Sequence, residues 1–96
     1  MIIQTIKFKT SLSEEEVFAI AKERLPLFLE LPGLLQKYYV KTGQENEYGG
    51  IYVWDSEESM KTFRESDLAK SIPLAYKVEG APNIETKEVF ITLRDM

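Results

Sequence analysis

An α+β fold is predicted by three observations. Four runs rich in β-branched and aromatic residues read as strands, two apolar runs at helical spacing lie between them, and each helical run opens on an acidic capping sequence. The order is strand, helix, strand, strand, helix, strand. Each βαβ half can lay its helix on the same face of one sheet. The expected architecture is therefore ferredoxin-like: βαββαβ, with a four-stranded antiparallel sheet and two helices on one side. A chain of 96 residues fits a single domain over residues 1–96.

The first strand is expected over residues 2–9. Ile2, Gln4, Ile6 and Phe8 share one face, and Ile3, Thr5, Lys7 and Lys9 share the other. Thr10-Ser11 breaks it. The first helix starts at Ser13, where Ser13-Glu14-Glu15-Glu16 forms a capping box flanked by Leu12 and Val17 as a hydrophobic staple. Three acids in the first turn suit the helix dipole. Val17, Ala21 and Leu25 form a row at i, i+4 and i+8, with Phe18, Ile20, Phe28 and Leu29 beside it. Pro26 lies inside this run; the apolar spacing continues past it, which predicts a kinked helix rather than a broken one.

Pro32-Gly33 is a turn, and residues 34–42 read as the second strand. A polar hairpin loop over residues 43–47 leads into the third strand, residues 48–55. Gly49-Gly50 there suggests a bulge or a close backbone approach. Asp55 is expected to cap the second helix, with Glu58 three positions on and Met60 and Phe63 facing inward. Ser66-Asp67 restarts a short turn carrying Leu68 and Ile72, which Pro73 is expected to stop. Gly80-Ala81-Pro82-Asn83 reads as a turn, residues 84–93 as the last strand, and residues 94–96 as a frayed end.

Two helices cover one face of the sheet. The other should then be polar in a monomer, yet neither face of the last three strands is cleanly polar. A domain this small buries only about 60–65% of its unfolded surface. A second copy packed sheet to sheet would cover the apolar remainder, so a homodimer is expected.

The composition excludes several function classes. A formal net charge of -4 with no basic run disfavours nucleic acid and anionic membrane surfaces as partners. No apolar stretch approaches the roughly 20 residues of a membrane span. The run Met1-Ile2-Ile3-Gln4-Thr5-Ile6-Lys7 lacks the pattern of a signal peptide, so a cytoplasmic location is expected. The chain has no cysteine and no histidine. Disulfides, thiolate nucleophiles, Cys- or His-ligated metals, a His general base and a Ser-His-Asp triad are thereby excluded. The acids Glu14, Glu15 and Glu16 are a helix start and not a metal site.

The run Leu31-Pro32-Gly33-Leu34-Leu35, then Tyr48-Gly49-Gly50-Ile51-Tyr52-Val53-Trp54-Asp55-Ser56-Glu57-Glu58, then Phe63 and Asp67-Leu68-Ala69, resembles the antibiotic-biosynthesis-monooxygenase-like proteins of the dimeric α/β-barrel superfamily. The Gly-Gly-Ile-Tyr stretch is most similar to the YdhR-type monooxygenases within it. The resemblance implies a ferredoxin-like subunit, a homodimer whose two sheets form a barrel, and a pocket between sheet and helices in each subunit. It also implies, for some members, oxygenation of aromatic polyketides with no cofactor. Other members degrade haem with a histidine ligand that this chain lacks. The cofactor-free oxygenases place a tryptophan at the end of strand three, and Trp54 matches it. Their strand-three asparagine has no counterpart; Gly50 stands about where it would be.

Cofactor-free oxygenation of a phenol- or quinol-like substrate needs a dry cavity, aromatic walls and donors for a developing oxyanion. Alternation along the separate strands groups Gln36, Tyr38, Tyr52 and Trp54 as such walls and donors. Phe18, Phe28 and Phe63 face the sheet as core and would line a pocket there. The candidate substrate-binding residues are therefore Gln36, Tyr38, Tyr52, Trp54, Phe28 and Phe63. Each also has a structural role open to it, Tyr38 and Tyr52 as a cross-strand pair and the larger aromatics as core. No residue is singled out as base; water, the substrate itself, or a shifted carboxylate, lysine or tyrosine would serve. Tyr76 lies in a loop where a lid would form. The expected function is a cofactor-independent monooxygenase of a small aromatic, with no cofactor or metal. The alternatives are a non-catalytic small-ligand-binding or stress-response dimer, and an isomerase or lyase using a shifted carboxylate.

Overall fold

The computed structural model describes residues 1–94, so the expected fraying of Asp95 and Met96 lies outside the described residues. The elements follow in the order β1 (Ile2–Thr10), α1 (Glu14–Leu29), β2 (Leu34–Lys41), β3 (Glu47–Trp54), α2 (Glu57–Arg64), α3 (Asp67–Ala75) and β4 (Val78–Glu88). The strands form one antiparallel sheet in the order β2-β3-β1-β4, the ferredoxin-like arrangement. No helix among the described residues is long and apolar enough to cross a membrane.

Local chemistry sets the start of α1. The Ser13 hydroxyl accepts the Glu16 amide at 3.1 Å, and the Glu16 carboxylate accepts the Ser13 amide at 3.0 Å. Two of the four amides left unbonded at a helix start are thereby satisfied. The helix runs on through Pro26 to Leu29, as its apolar spacing predicts.

Five expectations need correction. Ser56, not Asp55, caps α2: its hydroxyl accepts the Ser59 amide at 3.1 Å, while Asp55 accepts the Ser59 hydroxyl at 2.7 Å. Pro73 does not stop α3, which starts on the Ser66 cap and continues to Ala75. The last strand begins at Val78 rather than at residue 84, and ends at Glu88 rather than at residue 93. Residues 80–82 are not a turn but a bulge. Lys7 pairs with Asn83 and Lys9 with Glu79, so three residues stand opposite Phe8 alone. Gly80 takes a φ of 71° there, and Pro82 is tolerated because β4 is an edge strand. Finally, Phe18 does not face the core; it is 65% exposed.

The register assigns the faces. Ile2, Gln4, Ile6 and Phe8 pair with Trp54, Tyr52, Gly50 and Tyr48, and this side carries the helices. The main core joins Ile2, Phe28, Tyr52, Trp54, Met60 and Phe63. A second cluster of Leu12, Val17 and Tyr76 ties the end of β1 to the end of α3. Thr10, fully buried, locks that junction. Its hydroxyl donates to the Tyr76 carbonyl at 2.7 Å and accepts the Leu12 amide at 3.2 Å. Thr10→Val keeps the shape but strips both bonds, and is expected to cost about 1–3 kcal/mol. Urea denaturation measures this; an unchanged midpoint would show that the junction carries no stability.

The opposite face is mixed. Ile3, Val40, Ile51 and Val53 are half-buried on it, beside exposed Tyr38, Lys9 and Lys87. Beyond β4 the Val89 amide donates to the Met1 carbonyl at 2.9 Å. Phe90, Ile91 and Leu93 then extend into solvent, Phe90 at 93% exposure.

Candidate functional site

The helix side of the sheet is not filled along its whole length. Trp54 and Phe63 pack one end densely, their rings 5.3 Å apart. Toward the other end β3 carries Gly50, which adds no side chain between Ile6 and Tyr39. A cavity of about 280 Å³ remains there, between α1, the sheet and Tyr76. Its wall is almost wholly apolar and includes Ile6, Phe8, Val17, Ala21 and Ile72. Phe18, Glu14 and Lys41 also line it, and all three are exposed. Glu14 and Lys41 form an ion pair with each other at 3.4 Å. A second cleft of about 180 Å³ lies beside it, lined by Leu25, Phe28, Leu34 and Gln36. Lys37 and Tyr39 line both spaces and so form the partition between them.

Lys37 is the unusual group. Its register partner is Tyr52, which places it on the helix side of β2. The ammonium lies 3.5 Å from the centre of the Phe28 ring, 4.2 Å from that of Tyr39 and 4.6 Å from that of Tyr52. Among the described residues no carboxylate pairs with it. Burial pushes its pKa down to about 7, and the like charge of Arg24 adds to that. Gly50 makes the room: a Cβ there would sit 3.4 Å from the Lys37 Cε and 3.1 Å from the Tyr52 ring.

Four phenols, those of Tyr39, Tyr48, Tyr52 and Tyr76, surround the amine or the cavity. Tyr52 is buried and stacks on Trp54 with centroids 6.0 Å apart and planes 5° from parallel. Desolvation raises its hydroxyl far above the ordinary tyrosine value, so it stays a proton donor at any physiological pH. Tyr76, at the end of α3, packs on Phe8 with centroids 5.2 Å apart, and burial pushes it up to about 12. Tyr39 is raised for the same reason.

The candidate residues named from sequence separate into three groups. Tyr52 lines the larger cavity, and Phe28 and Gln36 line the adjoining cleft. Trp54 and Phe63 are buried in the core and line neither space. The Trp54 indole N–H is already bonded to the Gln4 side chain at 3.1 Å. Tyr38 lines neither space and pairs with Ile51, so it lies on the opposite face from Tyr52 and is not its cross-strand partner. Gln36 likewise pairs with Val53, and its side chain turns back to accept the Lys37 amide at 3.0 Å. The grouping of Gln36 and Tyr38 with Tyr52 and Trp54 is thus corrected by a register shift between Leu34 and Gln36. That irregularity puts Lys37 and Tyr39 on the helix side of the sheet, and neither was singled out from the sequence.

The site can bind a flat apolar body and offers amine and phenol groups to one polar substituent. Among the described residues its one lining carboxylate, Glu14, is exposed and ion-paired, and none of them offers a buried acid there for an isomerase. No cluster of three or more His, Cys, Asp or Glu that could hold a metal occurs among the described residues.

Comparisons with known proteins agree with this fold. A family model described as "Putative mono-oxygenase ydhR" matches residues 2–91. A structure described as a putative antibiotic biosynthesis monooxygenase from Deinococcus radiodurans is similar with a TM-score of 0.74 and 16% identity, covering 100% of this chain and 99% of that one. SnoaB, a cofactor-independent oxygenase from Streptomyces nogalater, is similar with a TM-score of 0.75 and 14% identity, covering 98% and 97%. A protein of unknown function from Nitrosomonas europaea gives a TM-score of 0.76 and 17% identity, covering 99% and 94%. At these identities the structural likenesses establish the fold. A search of curated proteins gives no significant match.

Proposed function

Since the chain belongs to the family described as putative mono-oxygenase ydhR, we propose that it is a cofactor-independent monooxygenase acting on a small aromatic, quinol-like substrate, and that it works as a homodimer. The observation that carries this reading is the apolar cavity of about 280 Å³ with the Tyr52 phenol and the Lys37 amine at its wall. The likeness to a cofactor-independent oxygenase supports it. The half-buried apolar residues on the free face of the sheet, and exposed Phe90, Ile91 and Leu93, support the dimer.

The chemistry balances without an outside reductant. A phenol bearing an activated CH₂ loses a proton, and the anion passes one electron to O₂. The radical pair combines into a hydroperoxide on that carbon. Loss of water leaves a carbonyl, so one oxygen enters the product and the other leaves as water. The protein's part is to exclude water, hold the ring plane and stabilise the oxyanion. Tyr52, which lines the cavity and is kept protonated by burial, is the donor assigned to that last task.

Oxygen uptake against a panel of anthrones and hydroquinones tests the reading. The wild type should exceed buffer for at least one of them. Tyr52→Phe removes one oxyanion donor and should lower the rate about 10²- to 10³-fold. Uptake no faster than buffer across the panel, with binding intact, would leave a non-catalytic ligand-binding protein instead.

A further inference from the structure

We propose that Lys37 is the proton acceptor of this site, and that the molecule it receives is a neutral phenol, which it deprotonates and holds as the phenolate. This deepens the reading above and rests on the cavity taking a small aromatic.

The argument begins with what is missing around the amine. A buried ammonium is ordinarily paired with a carboxylate. Lys37 has three ring faces instead, from Phe28, Tyr39 and Tyr52. These offset part of the lost hydration but supply no negative charge and accept no proton. The groups facing it are of the wrong kind to complete it. Arg24 on α1 is cationic, Tyr39 on β2 and Tyr52 on β3 are phenols held neutral by burial, and so is Tyr76 after α3. Among the described residues the one acid lining the cavity, Glu14, pairs with Lys41. The missing partner is therefore an anion, and the empty space beside the amine is where it would enter.

The wall then selects the kind of anion. Ile6, Val17, Ala21 and Ile72 fit an aromatic body and give nothing to a carboxylate's second oxygen or to a polyol. An anion formed in place avoids the cost of carrying charge into this apolar space. With its pKa pushed down to about 7, a substantial fraction of the amine is neutral near pH 7, and that form can take the proton. The step is a simple transfer: the substrate O–H breaks, an N–H forms on Nζ, and phenolate and ammonium remain as a pair. Each charge then favours the other, which raises the lysine and lowers the phenol together.

The test uses 3-nitrophenol, mostly protonated in water at about pH 7.5, whose phenolate absorbs at longer wavelength. 3-Nitroanisole has the same body and no proton. Wild type should bind the phenol with the phenolate spectrum, its apparent pKa lowered by about one unit or more, that is, an about tenfold higher ratio of phenolate to phenol than in water. Lys37→Met keeps the length of the stem and should bind both compounds with no such shift. Because the proton goes to Nζ, wild type should release almost none to the buffer. Lys37→Arg, already cationic, should release close to one per phenol bound. A wild-type complex with an unshifted spectrum would overturn the role of Lys37 and leave the aromatic site standing. Tighter binding of 3-nitrobenzoate than of the phenol would overturn the substrate class. Failure of both nitro compounds to bind would overturn the aromatic site and this inference together. A bound phenolate without oxygen uptake would uphold Lys37 and sink the oxygenase reading alone.

Discussion

Trp54→Ala is expected to cost about 3–5 kcal/mol of folding free energy, enough to leave a domain of this size largely unfolded on warming. Trp54 is fully buried and packs against both Tyr52 and Phe63. It holds β3 against Ile2 of β1, its register partner. Truncation removes this packing and leaves the buried Gln4 side chain without the indole N–H that it accepts at 3.1 Å. An unsatisfied buried polar group costs about a further 1–3 kcal/mol. Urea titration followed by circular dichroism measures the loss. Trp54→Phe keeps the ring contact and gives up the hydrogen bond, so it should fall well short of the alanine variant. Equal losses in the two would show that the hydrogen bond, and not the packing, holds the site.

Gly49→Ala should be the next most damaging single change, and its neighbour supplies the control. A Cβ at Gly49 would run into the backbone carbonyl of Ile6. A carbonyl in the middle of a paired strand cannot turn aside, so β1 and β3 must separate locally. Overpacking of this kind costs about 1–3 kcal/mol, occasionally more. At Gly50 a Cβ meets side chains rather than paired backbone, the Tyr52 ring edge at 3.1 Å and the flexible Lys37 stem at 3.4 Å. Gly50→Ala should therefore lose less thermal midpoint than Gly49→Ala while disturbing Lys37. If the two glycines proved equally tolerant, the close approach at Gly49 would not constrain the sheet.

What could be read from sequence was what is decided locally. The capping box at Ser13 is complete within four residues, and it stands as expected. The alternation of Ile2, Gln4, Ile6 and Phe8 placed β1 on the right face. Two of the failures arose where distant residues decide. Gly80-Ala81-Pro82-Asn83 has the composition of a turn, but pairing with β1 draws it into β4 as a bulge. The face that each residue of β2 presents depends on the irregularity after Leu34, which alternation within one strand does not reveal. A lysine in Gln36-Lys37-Tyr38 accordingly reads as a solvent residue. The signal that could have found it lies on the next strand, where Gly50 clears space for a long side chain. Trp54 matched a family position by sequence, while its indole N–H is taken up by Gln4, fifty residues away in the chain.

The amine at Lys37 also marks the whole molecule's proton balance. Its pKa in the folded chain lies near 7, while in the unfolded chain it returns to the usual lysine range. Between those two values the unfolded chain carries one proton more than the native one. Stability must therefore rise with pH through that alkaline window, and below it this residue weighs against folding. The fold keeps beside its cavity a half-buried group that makes it less robust in neutral water, and an acidic guest would reverse that penalty by restoring the proton there.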